Sequence, residues 1–216
     1  MISLWRALVP VALCLVAACS PRIAQVGPYP VGLADLPVGM SQEAWTHALA
    51  AYDRAWLEGV TRKPLLTVID YSLPSSERRL WVVDLSTRDV LVWEHVAHGV
   101  RSGGVVPTSF SNRDGSNQTS LGAYVTGNRY VGVRGLSLRL KGLEPGINDR
   151  ALARGIVFHG TPNVSAYRAL NGRLGRTEGC PAVSVEAARR LVPLIEDGVL
   201  VYASAPDRTF LARSSY

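Results

Sequence analysis

Two short stretches of this chain carry residue types capable of covalent chemistry. Gly175-Arg176-Thr177-Glu178-Gly179-Cys180-Pro181 presents a cysteine among turn-forming residues, and Phe158-His159-Gly160 places a histidine earlier in the chain. A thiol brought near an imidazole can be held as a thiolate, a strong nucleophile for acyl transfer. The pattern therefore predicts a cysteine-dependent acyl-transfer enzyme. The structural alternative for Cys180 is a small buried hydrophobe. The flanking glycines, Thr177, Glu178 and Pro181 favour an exposed turn instead.

The weight placed on Cys180 depends on where the other two cysteines lie. Residues 1–18 hold one basic residue, Arg6, and an apolar run from Ala7 to Ala18 interrupted by Pro10. That run is too short to span a bilayer and has the proportions of a secretory signal peptide. Val16-Ala17-Ala18-Cys19 resembles the lipobox of bacterial lipoproteins, in which cleavage exposes a cysteine that is then acylated. Cys14 would leave with the leader and Cys19 would carry lipid; an ordinary signal cleavage is the alternative. Ser20 rather than aspartate after Cys19 favours an outer-membrane anchor facing the periplasm. In an exported protein an unpaired thiol is a liability unless it is used, which sharpens the meaning of Cys180.

The roughly 200 residues left after the leader suffice for one domain with a sizeable core. The formal charge of +6 suits an anionic surface or polymer. Export, with no zinc-finger, basic-zipper or aromatic nucleic-acid signature, argues against nucleic acid as partner. No His/Cys cluster has metal-ligand spacing and no phosphate loop is present, so neither a metal nor another cofactor is expected.

Positioning elements follow from pattern. Residues 19–40, rich in Pro, Gly and small residues, read as a tether. Over 41–63 a helical extension is expected: Ser41 can cap it, Glu43 lies in its first turn, and Trp45, Leu49, Tyr52 and Trp56 recur at helical spacing. That stripe is read as buried packing rather than a ligand platform. From residue 64 to 216 a single catalytic domain is expected. Strands are predicted at 65–71, 80–85, 90–97, 121–126, 156–159 and 199–203, with a polar loop over 109–119. Ser184 can cap a helix from Val185 to about Glu196, with Gly198 just beyond its end. The fold class is mainly β with flanking helices, and no internal repeat is visible.

His159-Gly160, sixteen residues, then Thr177-Glu178-Gly179-Cys180 is similar to the signature of L,D-transpeptidases with a YkuD-like catalytic domain. The likeness spans roughly residues 65–205 and is strongest to a divergent branch, the murein L,D-transpeptidase catalytic domains. Blocks similar to that branch are Ile69-Asp70-Tyr71-Ser72-Leu73-Pro74-Ser75-Ser76, Val96-Ala97-His98-Gly99, Phe110-Ser111-Asn112, Ser120-Leu121-Gly122 and Gly175-Arg176 with Gly179-Cys180-Pro181. The resemblance implies a partly barrel-like β-sandwich and peptidoglycan stem peptides as substrate. Two positions depart from it: the family's usual histidine before Gly-Cys is Glu178, and its arginine or asparagine two residues after the cysteine is Ala182.

The resemblance also implies a mechanism. His159 withdraws the thiol proton, and Cys180 attacks a stem-peptide carbonyl to form a thioester. An amine, that of diaminopimelate in the family at large, then completes a crosslink. The amides of Gly179 and Cys180 are candidate oxyanion donors, and Gly160, which flanks the base, and Glu178 are counted among the candidate oxyanion or substrate-binding residues. Arg176 either binds a substrate carboxylate or pairs with Glu178. Ser120, Gly122 and Tyr124 are candidates for substrate contact, with hairpin packing as the alternative. His98 is the best rival base, although a structural hydrogen-bonding role is preferred for it; His95 and His47 lack the required spacing.

Three functions compete at this site. The first is crosslink formation. The second is hydrolysis through the same thioester, as an L,D-carboxypeptidase, an endopeptidase or a route for attaching and releasing wall proteins. The third is a catalytically silent wall-binding module, motivated by Glu178 and Ala182. A sortase-like arrangement using Arg189 or Arg190 is discounted because both fall on the predicted helix.

Overall fold

The computed structural model describes residues 28–172 and 174–216. The expected leader and the Cys19 lipidation site lie outside the described residues. Eight strands make up the sheet: β1 (Leu65–Asp70), β2 (Leu80–Asp84), β3 (Asp89–Glu94), β4 (Gly122–Gly132), β5 (Gly135–Gly142), β6 (Val157–Gly160), β7 (Ala182–Val183) and β8 (Leu200–Ser204). Helices α1 (Gln42–Leu57), α2 (Ala166–Leu170), α3 (Val185–Ile195) and α4 (Arg208–Leu211) surround it.

The strand order is β3-β2-β1-β8-β4-β5-β6-β7. β1 runs parallel to β8 and β6 parallel to β7, while the other pairs are antiparallel. The two ends of this order nearly meet. The chain just beyond β3 reaches β7 through Ala97 N–H to Ala182 O at 2.8 Å, and Thr177 N–H bonds His98 O at 3.0 Å. An eight-stranded mixed sheet is thus almost closed into a barrel, which hides most of its edge backbone.

Helix α1 starts where expected, with Ser41 Oγ accepting from Ala44 N–H at 3.2 Å. Asp70, fully buried at the end of β1, in turn accepts the Ser41 N–H at 3.0 Å and ties the helix start to the sheet. Trp45 and Tyr52 of the apolar stripe are buried, with Leu49 and Trp56 packed against the same core. This makes α1 part of the domain core rather than an appended element. The described part of the expected tether is also packed: Trp45 Nε1 donates to Gly32 O at 3.0 Å, and Trp81 Nε1 to Val38 O at 3.2 Å. Two indole donors that must find acceptors when buried pin this segment down.

The principal difference from expectation is one hairpin. β4 extends to Gly132 and folds back as β5, with Gly132 opposite Gly135 and a two-residue turn, Val133-Arg134, between them. Leu136, Leu138 and Leu140 alternate with Ser137, Arg139 and Lys141, the period-2 signal of a half-buried strand. A register shift between Thr126 and Arg129 bends the hairpin, as bulges do. Its tip carries Arg134 out over the site.

Candidate active site

Cys180 sits just before β7, and β7 pairs in parallel with β6 so that Ala182 lies opposite His159. Continued two residues back, that register sets Cys180 beside Val157. The sulfur accepts from Val157 N–H at 3.5 Å and approaches Gly155 O at 3.8 Å. His159 and Cys180 therefore occupy neighbouring strand lines, offset by two residues, with no hydrogen bond joining them at rest. Cys180 is only 4% exposed, so the expected open turn is in fact closed. Burial is the main influence on the thiol, pushing its pKa up.

The closure comes from hydroxyl groups that bolt the turn to surrounding loops. Thr177 Oγ1 donates to Cys180 O at 2.7 Å and accepts from Gly179 N–H at 3.2 Å. Thr119 Oγ1 accepts from Gly99 N–H at 2.9 Å and donates to Gly179 O at 3.2 Å. Gly179 is at φ +124°, and a Cβ there would lie 2.8 Å from Gln118 O and 2.9 Å from Ile156 Cδ1. What presses on this glycine is the protein's own loop. Its amide is already engaged, which corrects its assignment as an oxyanion donor. The Cys180 amide has no acceptor among the described residues.

His159 is buried, and its Nδ1 lies 3.0 Å from Gly160 O. A carbonyl can only accept, so Nδ1 carries the proton and Nε2 the lone pair. That Nε2 atom is buried without a partner. Burial also holds the imidazole pKa below its ordinary value. The outcome is a neutral, base-competent ring whose tautomer is set by the backbone. Gly160 contributes this carbonyl; a Cβ added to it would lie 2.9 Å from both Ala188 Cβ and Val185 Cα, so close packing on α3 requires a glycine there, and the residue also lines the cleft beside His159.

His98 is organised differently. Arg79 Nη2 donates to its Nδ1 at 2.6 Å, so Nε2 carries the proton and faces Gly103 O at 3.4 Å. Its one lone pair is used, which removes it as a base. Burial, followed by the Arg79 and Arg176 charges, pushes this histidine down to about 3. Unfolding frees the ring to take a proton near pH 6.5. Its contribution to stability is therefore complete above about pH 6.5 and is lost as pH falls toward about 3. Thermal melts between pH 4 and 7 should show this slope, and His98→Gln should flatten it; an unchanged slope in the variant would refute the assignment.

The other expected site residues are distributed as follows. Glu178 pairs with Arg134 at 3.1 Å, not with Arg176. Arg176 instead donates to the carbonyls of Leu174, Gly175 and Gly104, holding the loop over residues 103–104. Tyr124 Oη bonds Ser120 at 2.8 Å, and both are buried beside a gap of about 10 Å³ inside the barrel. No stem peptide fits such a gap, so Tyr124 is a packing residue. Ser120, itself 2% exposed, also borders an outer cleft of about 340 Å³ near Arg113 and Arg150. Gly122, at φ +94°, has the Glu144 carboxylate where a Cβ would go, a packing requirement. Arg190 on α3 pairs with Glu94 at 2.8 Å.

Sequence reading passed over Arg134, Thr119 and Arg154. Arg154 donates to Ser111 O at 2.8 Å and Gln118 O at 2.6 Å, organising the polar loop against the cysteine turn. Arg134 acts electrostatically on both Cys180 and His159, in each case opposing an added positive charge. Ala182 is fully buried with Ala97, Val164, Ala169 and Leu174. An arginine there would bury an uncompensated charge, so Ala182→Arg should destabilise the fold by at least about 3 kcal/mol. Chemical denaturation reads this directly, and a loss under about 1 kcal/mol would contradict it.

Beside His159 a cleft of about 410 Å³ runs from the hairpin tip to the start of α3, lined among others by Arg134, Leu136, Pro162 and Arg189. Among the described residues no cluster of His, Cys, Asp and Glu could hold a metal, and no helix is long and apolar enough to cross a membrane.

Comparison with known proteins adds three findings. A family model described as L,D-transpeptidase catalytic domain matches residues 38–204. Solved structures are similar at low identity. An L,D-transpeptidase from Mycobacterium smegmatis is 12% identical over 66% of this chain and 59% of that one, with a TM-score of 0.41. Mycobacterium tuberculosis L,D-transpeptidase 1 is 12% identical over 66% and 62%, with a TM-score of 0.40. The helical cell shape determining protein Pgp2 from Campylobacter jejuni is 13% identical over 72% and 56%, with a TM-score of 0.43. The chain spans about three fifths of the length of the first of these structures. No curated protein matches the sequence.

Proposed function

Because this chain belongs to the L,D-transpeptidase catalytic domain family, we propose that it forms peptidoglycan crosslinks through a thioester on Cys180. The observation that carries the reading is the His159 imidazole, held with a free, buried Nε2 lone pair on the strand beside the cysteine. A thiol with a neutral base nearby is the arrangement that nucleophilic acyl transfer requires.

His159 Nε2 takes the Sγ proton as sulfur bonds to a stem-peptide carbonyl carbon. The Cys180 amide, without an acceptor among the described residues, stabilises the oxyanion. The carbon–nitrogen bond breaks and His159 returns the proton to the leaving amine. An acceptor amine then attacks the thioester, gives a proton to His159 and expels sulfur, which regains it. Sγ must turn from Val157 N toward His159 for the first step; such contacts commonly tighten only with substrate bound. Arg134 favours a negative sulfur and opposes an imidazolium, supplying positive charge that Glu178 and Ala182 do not.

The full chain incubated with purified peptidoglycan, followed by mass spectrometry of muramidase digests, tests this. New dimers that vanish with Cys180→Ala support transpeptidation. Shortened monomers alone would instead mean hydrolysis, and sacculus binding without products would mean a silent wall-binding module. The apolar run before Cys19 supports export with a lipid anchor in the outer membrane. Labelling by a fatty-acid analogue that persists in Cys19→Ala would count against it.

A further inference from the structure

We infer that Arg134 and Arg189 form a carboxylate subsite beside His159 that reads the free α-carboxylate of the amino acid leaving the donor and of the amine that replaces it. The inference rests on the transfer reaction proposed above and assigns its specificity.

The cleft beside His159 has three ionisable side chains in its lining, Arg134, His159 and Arg189, and none of them is acidic. Arg134 projects from the two-residue β4–β5 turn and Arg189 from an exposed position on α3. Arg189 has no ion-pair partner among the described residues. Arg134 spends a single Nη2 contact, 3.1 Å, on Glu178, whose side chain is 71% exposed. So exposed a pair is weakly held and readily exchanged. Glu178 thus stands as a resident carboxylate where a ligand carboxylate can replace it. A guanidinium suits this exchange because its planar fork can receive both carboxylate oxygens. His159 lines the same cleft, and its Nε2 is buried with no hydrogen-bond partner of its own.

Proton transfer decides which part of the substrate lies there. His159 must give its proton to the leaving amine and take one from the incoming amine, so both nitrogens occupy the place next to Nε2. An amino acid whose nitrogen sits at His159 has its carboxylate within the same small cleft, facing the arginines. The leaving residue at the free end of a stem and an acceptor with amine and carboxylate on one carbon share this chemistry. A peptide bond followed by further residues lacks it, because its carboxylate has become an amide.

The test uses the full chain and a matched pair of acceptors, D-alanine and D-alaninamide, competing for the thioester. At neutral pH the amide has more of its amine unprotonated, so intrinsic reactivity favours it. Preference for D-alanine is expected, and Arg134→Gln with Arg189→Gln should lower the kcat/KM ratio of D-alanine to D-alaninamide by at least about tenfold. Glu178→Gln should lower KM for D-alanine by removing the resident competitor. A ratio unmoved by the arginine changes overturns the subsite while leaving the transfer reaction intact. Equilibrium titration with N-acetyl-D-alanine and N-acetyl-D-alaninamide, followed by the His159 imidazole NMR signal, requires no turnover. Carboxylate-selective, Arg134-dependent binding in a chain that transfers nothing would sustain the subsite and refute the proposed function; equal binding of the two probes would refute the subsite.

Discussion

Cys180→Ala should lower acyl transfer to peptidoglycan by at least about a thousandfold, since removal of a nucleophile leaves only binding and oxyanion stabilisation. The fold should survive. The sulfur makes one long contact with Val157 N and one with Gly155 O, whereas the turn is held by Thr177, Thr119 and the backbone. Alanine keeps all of the latter. Acyl-enzyme mass spectrometry with a stem-peptide donor would show a covalent adduct on the parent chain and none on the variant. Undiminished turnover in Cys180→Ala would place the nucleophile elsewhere, and no other cysteine lies among the described residues.

For His159→Ala the expected loss is about 100- to 10,000-fold, the span of a positioned general base. The pH profile tests the mechanism more sharply than the rate alone. Burial lowers the His159 pKa and raises that of Cys180, so the resting pair is neutral thiol and neutral imidazole. Activity should fall on the acid side only below the ordinary imidazole range, as His159 gains a proton. On the alkaline side it should fall above the ordinary thiol range, as the proton destined for the leaving amine is lost. In His159→Ala the acid limb should disappear. Ultraviolet thiolate absorbance in the resting parent chain at neutral pH, absent from Cys180→Ala, would instead indicate a preformed thiolate–imidazolium pair and would refute this ordering.

Much of the fold was legible because local pattern and burial coincide in it. Ser41 and Ser184 cap α1 and α3 as read, because an N-cap needs only a side-chain oxygen and the next turn's amides. Tyr52 and Trp45 are core residues because helical spacing puts one face toward the sheet. The β4–β5 hairpin was missed although Leu136, Leu138 and Leu140 alternate plainly, and with it Arg134 was missed. A turn residue acquires chemical meaning only from what its hairpin overhangs. β7 is two residues long and has no sequence signal of its own, since its partners β6 and Ala97 supply all its order.

By itself the sequence determined which atoms can react and where the regular elements begin: one cysteine and one histidine at a family spacing, capped helices, and alternating strands. These depend on residue type and near neighbours along the chain. Tertiary structure alone decided which histidine is a base, because His159 and His98 differ only in what donates to or accepts from each ring nitrogen. It also decided that Cys180 is closed in rather than exposed, that Arg176 binds carbonyls while Arg134 takes Glu178, and that Ala182 fills a packed corner. Hydrogen-bond partners and desolvation are set by groups distant in sequence, and no local pattern encodes them.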